Sequence, residues 1–274
     1  MNAALDLSHY LVAQGKAERT VNEYVKWARR LARWAELHGL DLATLESHHL
    51  RRWIDATVPP GRESRKQAHT AVKHLYRMLG RTDSPELAIR LPRKKKGKPH
   101  PLTEPERVAL RDAAIMVGGR KGLATLGLLQ SCARPSELAA WRWEHIDFEA
   151  ERLRFYRTKN DDWHEVPLRP ALALSLERFR GPWSEGFVFV GNNGREHINP
   201  TTVWAWTRQV AEVAGVDDVK PRRLRATAVN RVLDTTESLD VAAAMAGHSD
   251  PATTMLYYVE TSWRRLASGA EALD

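Results

Sequence analysis

Apolar residues recur at helical spacing through the first 90 residues of the chain. Over 18–38 they return every three or four positions, which predicts one long helix. Thr20 and Glu23 have the spacing of a capping box at its start, and Gly39 can end it in a left-handed conformation. The opposite face is basic, at Lys26, Arg29, Arg30 and Arg33, and a solvated face is its simplest interpretation. The stretches "LESHHLRRWIDA" and "SRKQAHTAVKHLYRMLG" repeat the pattern, so residues 1–90 predict a small all-α domain.

The helical pattern stops in "LPRKKKGKPHPLT". This stretch holds three prolines, one glycine and five Lys or Arg residues, without apolar periodicity. Proline and crowded like charges both disfavour a packed element. We therefore predict a basic linker at 91–102 and a second domain at 103–274. A second capping box, Thr103 to Glu106, marks where that domain begins.

The period changes from helical to alternating over 151–168. Leu153, Phe155 and Arg157 alternate with Arg152, Arg154 and Tyr156. "KNDD" then supplies turn residues, and "HEVPL" has the composition of a second, returning strand. This predicts a β-hairpin with a polar tip. "GLATLGLLQSCA" predicts a buried helix, "EGFVFVG" a further short strand, and the remainder of the chain is predicted helical to its end. The second domain is therefore expected to be mixed α+β and mainly helical, with a small antiparallel sheet.

The charge balance of the 274-residue chain gives information about its binding partner. It has 42 Lys and Arg against 34 Asp and Glu, a net charge of +8. Such an excess indicates a polyanionic partner, most commonly nucleic acid, although a soluble protein with a basic surface is the alternative. No apolar run of about 18 residues and no signal peptide are found, so we expect no membrane association. One cysteine, Cys132, fits a reducing compartment, and we expect a cytoplasmic protein.

Four segments of the predicted second domain together resemble one family. They are "SCARPSELAAWRWEHIDF", "RTKNDDWHEVPL", "PRRLRATAVNRVLD" and "AGHSDPATTMLYY". They are similar, in order, to the first arginine box, the lysine hairpin, the second box and the histidine–tyrosine motif of tyrosine recombinases, the phage-integrase family. "RTVNEYVKWARRLARW" also resembles that family's helical, SAM-like core-binding domain. Any one box is a weak signal, but four in the right order are specific.

The resemblance implies a set of catalytic residues and their roles. They are Arg134, Lys159, Arg222, Arg225, His248 and Tyr257, the last as nucleophile. Cleaving a phosphodiester with a hydroxyl needs a nucleophile, positive charge on the non-bridging oxygens and a proton for the leaving 5′-oxygen. Arginine suits the second task because its planar fork pairs with phosphate, and lysine suits the third. We expect no metal, cofactor or ATP, since no metal-ligand spacing or phosphate-binding glycine loop is found.

Each candidate also has a structural interpretation. The arginines can be surface residues, Lys159 an ordinary hairpin-tip lysine, and His248 a helix cap. Tyr257 and Tyr258 can both be core residues. The nine-residue step from His248 favours Tyr257 as the nucleophile and leaves Tyr258 for packing.

Four positions depart from the family's pattern: Arg222, Cys132, Ala133 in place of the usual leucine, and Pro135 in place of an aliphatic residue. Arg222 stands where the second box usually has histidine, and arginine cannot give and take a proton at neutral pH. Proton abstraction from Tyr257 then falls to His248, to water or to the substrate. Cys132 stands where the first box usually has glycine. We interpret it as a packing residue, with a reactive thiol beside the arginines as the alternative.

The resemblance implies a site-specific recombinase that acts on double-stranded DNA. It implies a 3′-phosphotyrosyl intermediate, a Holliday junction, self-association to a tetramer, and accessory DNA-bending or directionality factors. A compact phage or mobile-element integrase is our preferred interpretation, with a Xer-like or Cre-like resolvase, or a nicking and closing enzyme, as relatives of that activity. The alternative from another class is a catalytically silent DNA-binding protein, which Arg222 keeps open.

Overall fold

A computed structural model describes residues 3–83, 85–88, 91, 100–157, 161–191, 194 and 196–257, without the side chains at 62, 256 and 257. The chain divides into two compact units, Met1–Lys96 and Gly97–Asp274. Most of the predicted linker lies outside the described residues. The domain boundaries therefore stay a prediction.

Helices make up the first unit. Its described part contains α1 (Ala3–Ala13), α2 (Glu18–Leu37), α3 (Ser47–Thr57) and α4 (Arg62–Met78), with 3₁₀ turns at Leu42–Thr44 and Pro85–Ala88. Helix α2 packs against α1 and α4, because its apolar positions lie on one face. Trp27 on α2 meets Trp53 on α3 edge to face, with ring centroids 6.4 Å apart. The predicted all-α character of this unit is confirmed.

The start of α2 differs from the prediction. The helix begins at Glu18, with Ala17 as its N-cap residue and no side-chain cap. Thr20 therefore lies inside the first turn, where its backbone N–H donates to the carbonyl of Ala17 at 2.8 Å. The capping box predicted at Thr20 is wrong for that reason. The predicted end is confirmed, since Gly39 has a φ of 65° and donates to the carbonyl of Glu36 at 3.1 Å.

The second unit is also mainly helical. Its described part contains α5 (Glu104–Val117), α6 (Gly119–Ser131), α7 (Pro135–Ala139), α8 (Pro170–Arg180), α9 (Pro200–Ala214), α10 (Pro221–Thr236), α11 (Leu239–Ala246) and α12 (Pro251–Tyr257). The buried helix predicted from "GLATLGLLQSCA" is α6, which contacts α5, α8, α9 and α10. The capping box at Thr103 is present: its backbone N–H donates to Glu106 Oε2 at 2.7 Å.

A three-stranded antiparallel sheet completes this unit. Its strands are β1 (Ile146–Asp147), β2 (Arg152–Arg157) and β3 (Asp162–Pro167), in the order β1-β2-β3. The predicted hairpin is β2 and β3, with Tyr156 opposite Trp163. Leu153, Phe155 and Arg157 face inward and are buried, as the alternation predicted. The predicted fold class, a helical first domain and a mainly helical second domain with a small sheet, is confirmed.

The strand predicted from "EGFVFVG" is wrong. This segment forms only isolated bridges, Arg142 with Phe187 and Val190 with His197. Val188 donates to the carbonyl of Trp141 at 2.8 Å, and Trp143 donates to that of Gly186 at 2.9 Å. The neighbouring chain then turns into a 3₁₀ helix at Trp143–His145, so a longer ladder has no partner.

The described ranges contain neither a membrane-spanning helix nor a cluster of metal ligands. None of the helices there combines the length and apolar character that a bilayer span requires. The same residues contain no group of three or more His, Cys, Asp or Glu side chains placed to hold a metal ion.

Candidate active site

The sharp turn between α6 and α7 builds the first part of the site. Cys132 follows the end of α6 in a left-handed conformation, with a φ of 54°, and Arg134 is the N-cap residue of α7. The Glu137 carboxylate, 4% exposed, reaches back to this residue. Its Oε2 accepts from the Arg134 backbone N–H at 2.6 Å and its Oε1 from Arg134 Nη1 at 2.5 Å. One carboxylate therefore fixes both the backbone and the side chain of Arg134.

Two further arginines lie against the same carboxylate. Arg157 Nε is 4.0 Å from Glu137 Oε1, and Arg225 Nη1 is 3.8 Å from Glu137 Oε2. The side chains of Arg157 and Arg225 are 2% and 3% exposed, whereas that of Arg134 is 25% exposed. Three guanidinium groups around one carboxylate leave an excess of positive charge, which favours an anion, and their planar forks suit phosphate. Arg134 is the most accessible of the three.

A direct hydrogen bond joins Arg225 to His248. Arg225 Nη2 donates to His248 Nε2 at 3.2 Å and to the carbonyl of Ala246 at 2.6 Å, while its Nη1 donates to the carbonyl of Cys132. Because a guanidinium only donates, Nε2 is the acceptor and Nδ1 carries the ring proton. Nδ1 then donates to Thr254 Oγ1, 2.7 Å away. His248 is therefore held between α10 and α12 with a defined ring orientation.

Cys132 is buried beneath the arginines. Burial raises the pKa of its thiol to about 11, although Arg225 and Arg157 act in the opposite direction. The thiol is therefore protonated at neutral pH, which supports the packing interpretation over a reactive thiolate. Its positive φ also explains why glycine would suit this position, since the left-handed region favours a residue without Cβ.

Two adjacent arginines at the start of α10 have different environments. Arg222 is exposed in the first turn. Arg223 is engaged elsewhere: its Nε donates to the carbonyl of His100 at 2.9 Å, and its Nη2 to Glu106 Oε1 at 3.0 Å. Arg223 thus holds the start of α5 against α10. Arg222 is the residue of this pair whose side chain is available to a ligand.

The side chains of two predicted site residues, Lys159 and Tyr257, lie outside the described part of the chain. Lys159 lies outside the described residues, in the tip between β2 and β3. The chain enters and leaves that tip close together, since Asp161 N–H donates to the carbonyl of Arg157 at 2.9 Å. Tyr257 is the last residue of α12, without a described side chain, and Tyr258 lies outside the described residues. The structure therefore brings Arg134, Arg225 and His248 together, and the roles of all six residues stay predictions.

Sequence reasoning gave no role to two residues that the structure places at the centre of this cluster. Glu137 matches the first box, but that motif does not predict that its carboxylate contacts three arginines. Arg157 carries a sequence signal, because a charge at an inward position of a strand requires a buried partner. That signal locates the charge without identifying the partner.

Most of the chain matches the models of one protein family. Residues 102–262 match the model of the phage integrase family, and residues 6–82 match that of the phage integrase N-terminal SAM-like domain. The tyrosine recombinase XerC of Xanthomonas campestris pv. campestris (strain B100) is 28% identical, with 92% of this chain and 81% of that protein covered. The XerC of Pseudomonas aeruginosa (strain PAO1) is 26% identical, over 98% and 93%.

Solved structures show the same fold. A Tn1549 transposon integrase in complex with transposon right-end DNA superposes with a TM-score of 0.72 at 14% identity, covering 100% of this chain and 99% of that one. A lambda integrase dimer bound to a COC′ core site gives a TM-score of 0.71 at 16% identity, covering 95% and 78%. A lambda integrase tetramer bound to a Holliday junction gives 0.68 at 15%, covering 91% and 77%.

Proposed function

Because this chain belongs to the phage integrase family of tyrosine recombinases, we propose that it is a site-specific DNA recombinase that cuts and rejoins DNA through a tyrosine. The observation that carries the proposal is the cluster in which Arg134 and Arg225 share the Glu137 carboxylate and Arg225 contacts His248. This cluster presents positive charge together with an oriented imidazole. A phosphodiester undergoing displacement at phosphorus requires both.

In the proposed cleavage step, a tyrosine hydroxyl displaces the 5′-oxygen from a DNA phosphate. The Tyr257 oxygen attacks the scissile phosphorus, and the bond to the 5′-oxygen breaks. Lys159 gives that oxygen its proton, while Arg134, Arg222 and Arg225 neutralise the non-bridging oxygens. The Tyr257 proton passes to His248, to water or to the substrate. The products are a 3′-phosphotyrosyl link and a free 5′-hydroxyl, and attack by a second strand's 5′-hydroxyl reverses the step.

The stored phosphotyrosyl bond makes rejoining possible without an external energy source. We propose that the step occurs without a metal ion, a cofactor or ATP. The duplex would be bound by both units. The first has 19 Lys and Arg against 10 Asp and Glu, and the second offers Arg134 and the exposed Arg222. The DNA-bound dimer and the Holliday-junction tetramer of lambda integrase support a tetramer of this chain on two duplexes.

A resolvase of the Xer type is the second candidate. The XerC relatives, 26% and 28% identical over more than nine-tenths of this chain, favour it. An integrase acts between two different DNA molecules or sites, whereas a resolvase acts on two equal copies. The identity of the DNA that the chain attacks therefore separates the two candidates.

Recovery of covalently attached DNA tests the proposal. The chain is isolated from its host under denaturing conditions, and the strand bound to it is sequenced. A duplex with that sequence, nicked close to the cleavage position, should then trap the protein as a covalent adduct. Specific DNA binding without any adduct would instead identify a silent DNA-binding protein.

Lys159→Ala is expected to slow cleavage of an ordinary substrate by a factor of about 10² to 10⁴, the usual contribution of general acid catalysis. A substrate with a 5′-bridging phosphorothiolate should largely restore the rate, because a sulfur leaving group hardly needs a proton. Single-turnover cleavage of both substrates measures this. Lys121→Ala on α6 serves as the control, and an equal defect of Lys159→Ala on both substrates would place Lys159 outside this role.

Arg222→Ala is expected to cleave clearly more slowly than the unaltered protein, and Arg222→His should retain intermediate activity. The histidine loses its charge as pH rises through its pKa, so the Arg222→His rate should fall between about pH 6 and 8, where the arginine enzyme stays charged. Rates on a suicide substrate across that range measure this. Arg231→Ala, an exposed arginine of the same helix, is the control. An Arg222→Ala rate equal to that of the unaltered protein would make Arg222 part of a basic surface only.

A further inference from the structure

The carbonyl groups at the end of α11 accept hydrogen bonds from side chains of the β2–β3 hairpin, in addition to the bond from Arg225 on α10. His164 Nε2, on β3, lies 3.3 Å from the carbonyl oxygen of Met245. Arg157 Nη1, at the end of β2, donates to the carbonyls of Ala246 and Gly247, each at 2.6 Å. The final carbonyls of a helix have no partner within it and carry partial negative charge, so cationic donors stabilise them. The hairpin therefore caps α11, which ends at Ala246, two residues before His248.

Gly247 fits closely under the Arg157 guanidinium. Its φ of 57° lies in the left-handed region, and an added Cβ would be 1.6 Å from Arg157 Nη1. A side chain at this position would have to displace the guanidinium. The backbone of Gly247 and the side chain of Arg157 are therefore fitted to each other, next to the His248 ring.

Arg157 is an energetically expensive residue at this place. Its side chain is 2% exposed, and within the described residues its Nε and Nη2 atoms have no hydrogen-bond partner. Burial lowers its pKa to about 10, with Arg225 and Arg134 acting in the same direction and Glu137 opposing. An apolar side chain would fill the space at a lower cost in desolvation. A function of the guanidinium beyond packing is therefore expected.

We propose that Arg157 is a positioning residue, which holds the Gly247–His248 backbone against the hairpin that bears Lys159 and so sets His248 relative to Arg225. It spans the two segments through one guanidinium, with the Glu137 carboxylate beside it. The importance of this alignment for cleavage rests on the proposed function. The contact itself does not, and it is open to measurement on the DNA-free protein.

Amide hydrogen exchange tests the contact without DNA. In the structure Gly247 N–H donates to Ala244 at 2.8 Å, and His248 N–H donates to Ala243 at 2.9 Å. Arg157→Met should speed exchange at these two amides about tenfold, since it removes a charge-assisted bond from the adjoining carbonyls. Arg157→Lys should give a smaller increase. Arg154→Met, on the outward face of the same strand with 53% of its side chain exposed, should give none.

Glycine substitutions give the reciprocal test. Gly247→Ala should displace Arg157 and speed exchange at His248 as Arg157→Met does. Gly215 occupies the same kind of position at the end of α9, with a φ of 66° and nothing within 4 Å of an added Cβ. Gly215→Ala therefore carries only the backbone strain. Equal exchange at His248 in both glycine variants would overturn the proposed contact.

Cleavage of a suicide substrate then tests the positioning role. Arg157→Met should lower the single-turnover rate by about 10- to 100-fold, as small misplacements of catalytic groups do. DNA affinity should stay close to that of Arg154→Met, and Arg157→Lys should recover most of the rate. The melting temperature of Arg157→Met should fall somewhat, because the Gly247 carbonyl loses its donor. Faster exchange with an unchanged cleavage rate overturns the positioning role. Absence of adduct from the unaltered protein instead overturns the proposed function, while exchange still decides the contact.

Discussion

Tyr257→Phe is expected to abolish the covalent protein–DNA adduct and to leave sequence-specific DNA binding intact. The substitution removes one oxygen atom and keeps the ring, so the local packing and the charge of the DNA-binding surface are retained. Without the hydroxyl no phosphotyrosyl link can form, and the rate of adduct formation should fall by a factor of at least about 10⁴. Denaturing electrophoresis of labelled suicide substrate measures the adduct, and a gel-shift titration measures binding.

Tyr258→Phe is the matched control for this experiment. It removes the same atom from the adjacent residue and should form adduct at the rate of the unaltered protein. Adduct from Tyr257→Phe combined with none from Tyr258→Phe would reverse the assignment of the nucleophile. Loss of DNA binding in Tyr257→Phe would show that the hydroxyl is needed to bind the site and would leave cleavage to be measured at saturating protein.

The fold was predictable where its determinants are local. Helices such as α4 and α6 carry their period in the sequence, and the hairpin carries both an alternating pattern and turn residues. The errors occurred where the structure depends on neighbouring segments of the chain as well as on the local pattern. Thr20 has the right spacing for a cap, but the helix starts earlier, at Glu18. "EGFVFVG" has the composition of a strand, but the chain beside it turns into a 3₁₀ helix.

The sequence predicted which residues belong to the site, but it predicted few of the contacts between them. The boxes locate Arg134, Arg225 and His248, because each lies in a short segment with a recognisable pattern. The contacts that organise them join distant parts of the chain: Arg157 reaches Ala246 across 89 positions. One sequence contains no record of such a pairing. A buried arginine in a strand indicates that a partner exists, and only the fold identifies it.

Arg134→Ala is expected to lower the cleavage rate by a factor of about 10², with little effect on folding. This corresponds to a loss of about 3 kcal/mol of transition-state stabilisation. Arg134 is the most accessible arginine of the cluster, with 25% of its side chain exposed. Without it, Glu137 still accepts from a backbone N–H at 2.6 Å and keeps Arg225 within 3.8 Å, so no buried charge is left alone. Cleavage rate, DNA affinity and melting temperature are measured together.

Arg225→Ala should differ from Arg134→Ala because Arg225 also supports the fold. Its guanidinium donates to the carbonyls of Cys132 and Ala246, and removing it takes this donor from the buried Cys132 carbonyl, while the Ala246 carbonyl keeps the bond from Arg157. The melting temperature should therefore fall along with the cleavage rate. Arg107→Ala is the control for Arg134→Ala. Arg107 pairs with Glu104 three residues away at 2.5 Å, as Arg134 pairs with Glu137. If Arg134→Ala cleaves only as slowly as its weaker DNA binding requires, Arg134 is a binding contact, and the charge that stabilises the transition state comes from Arg225 and Arg222.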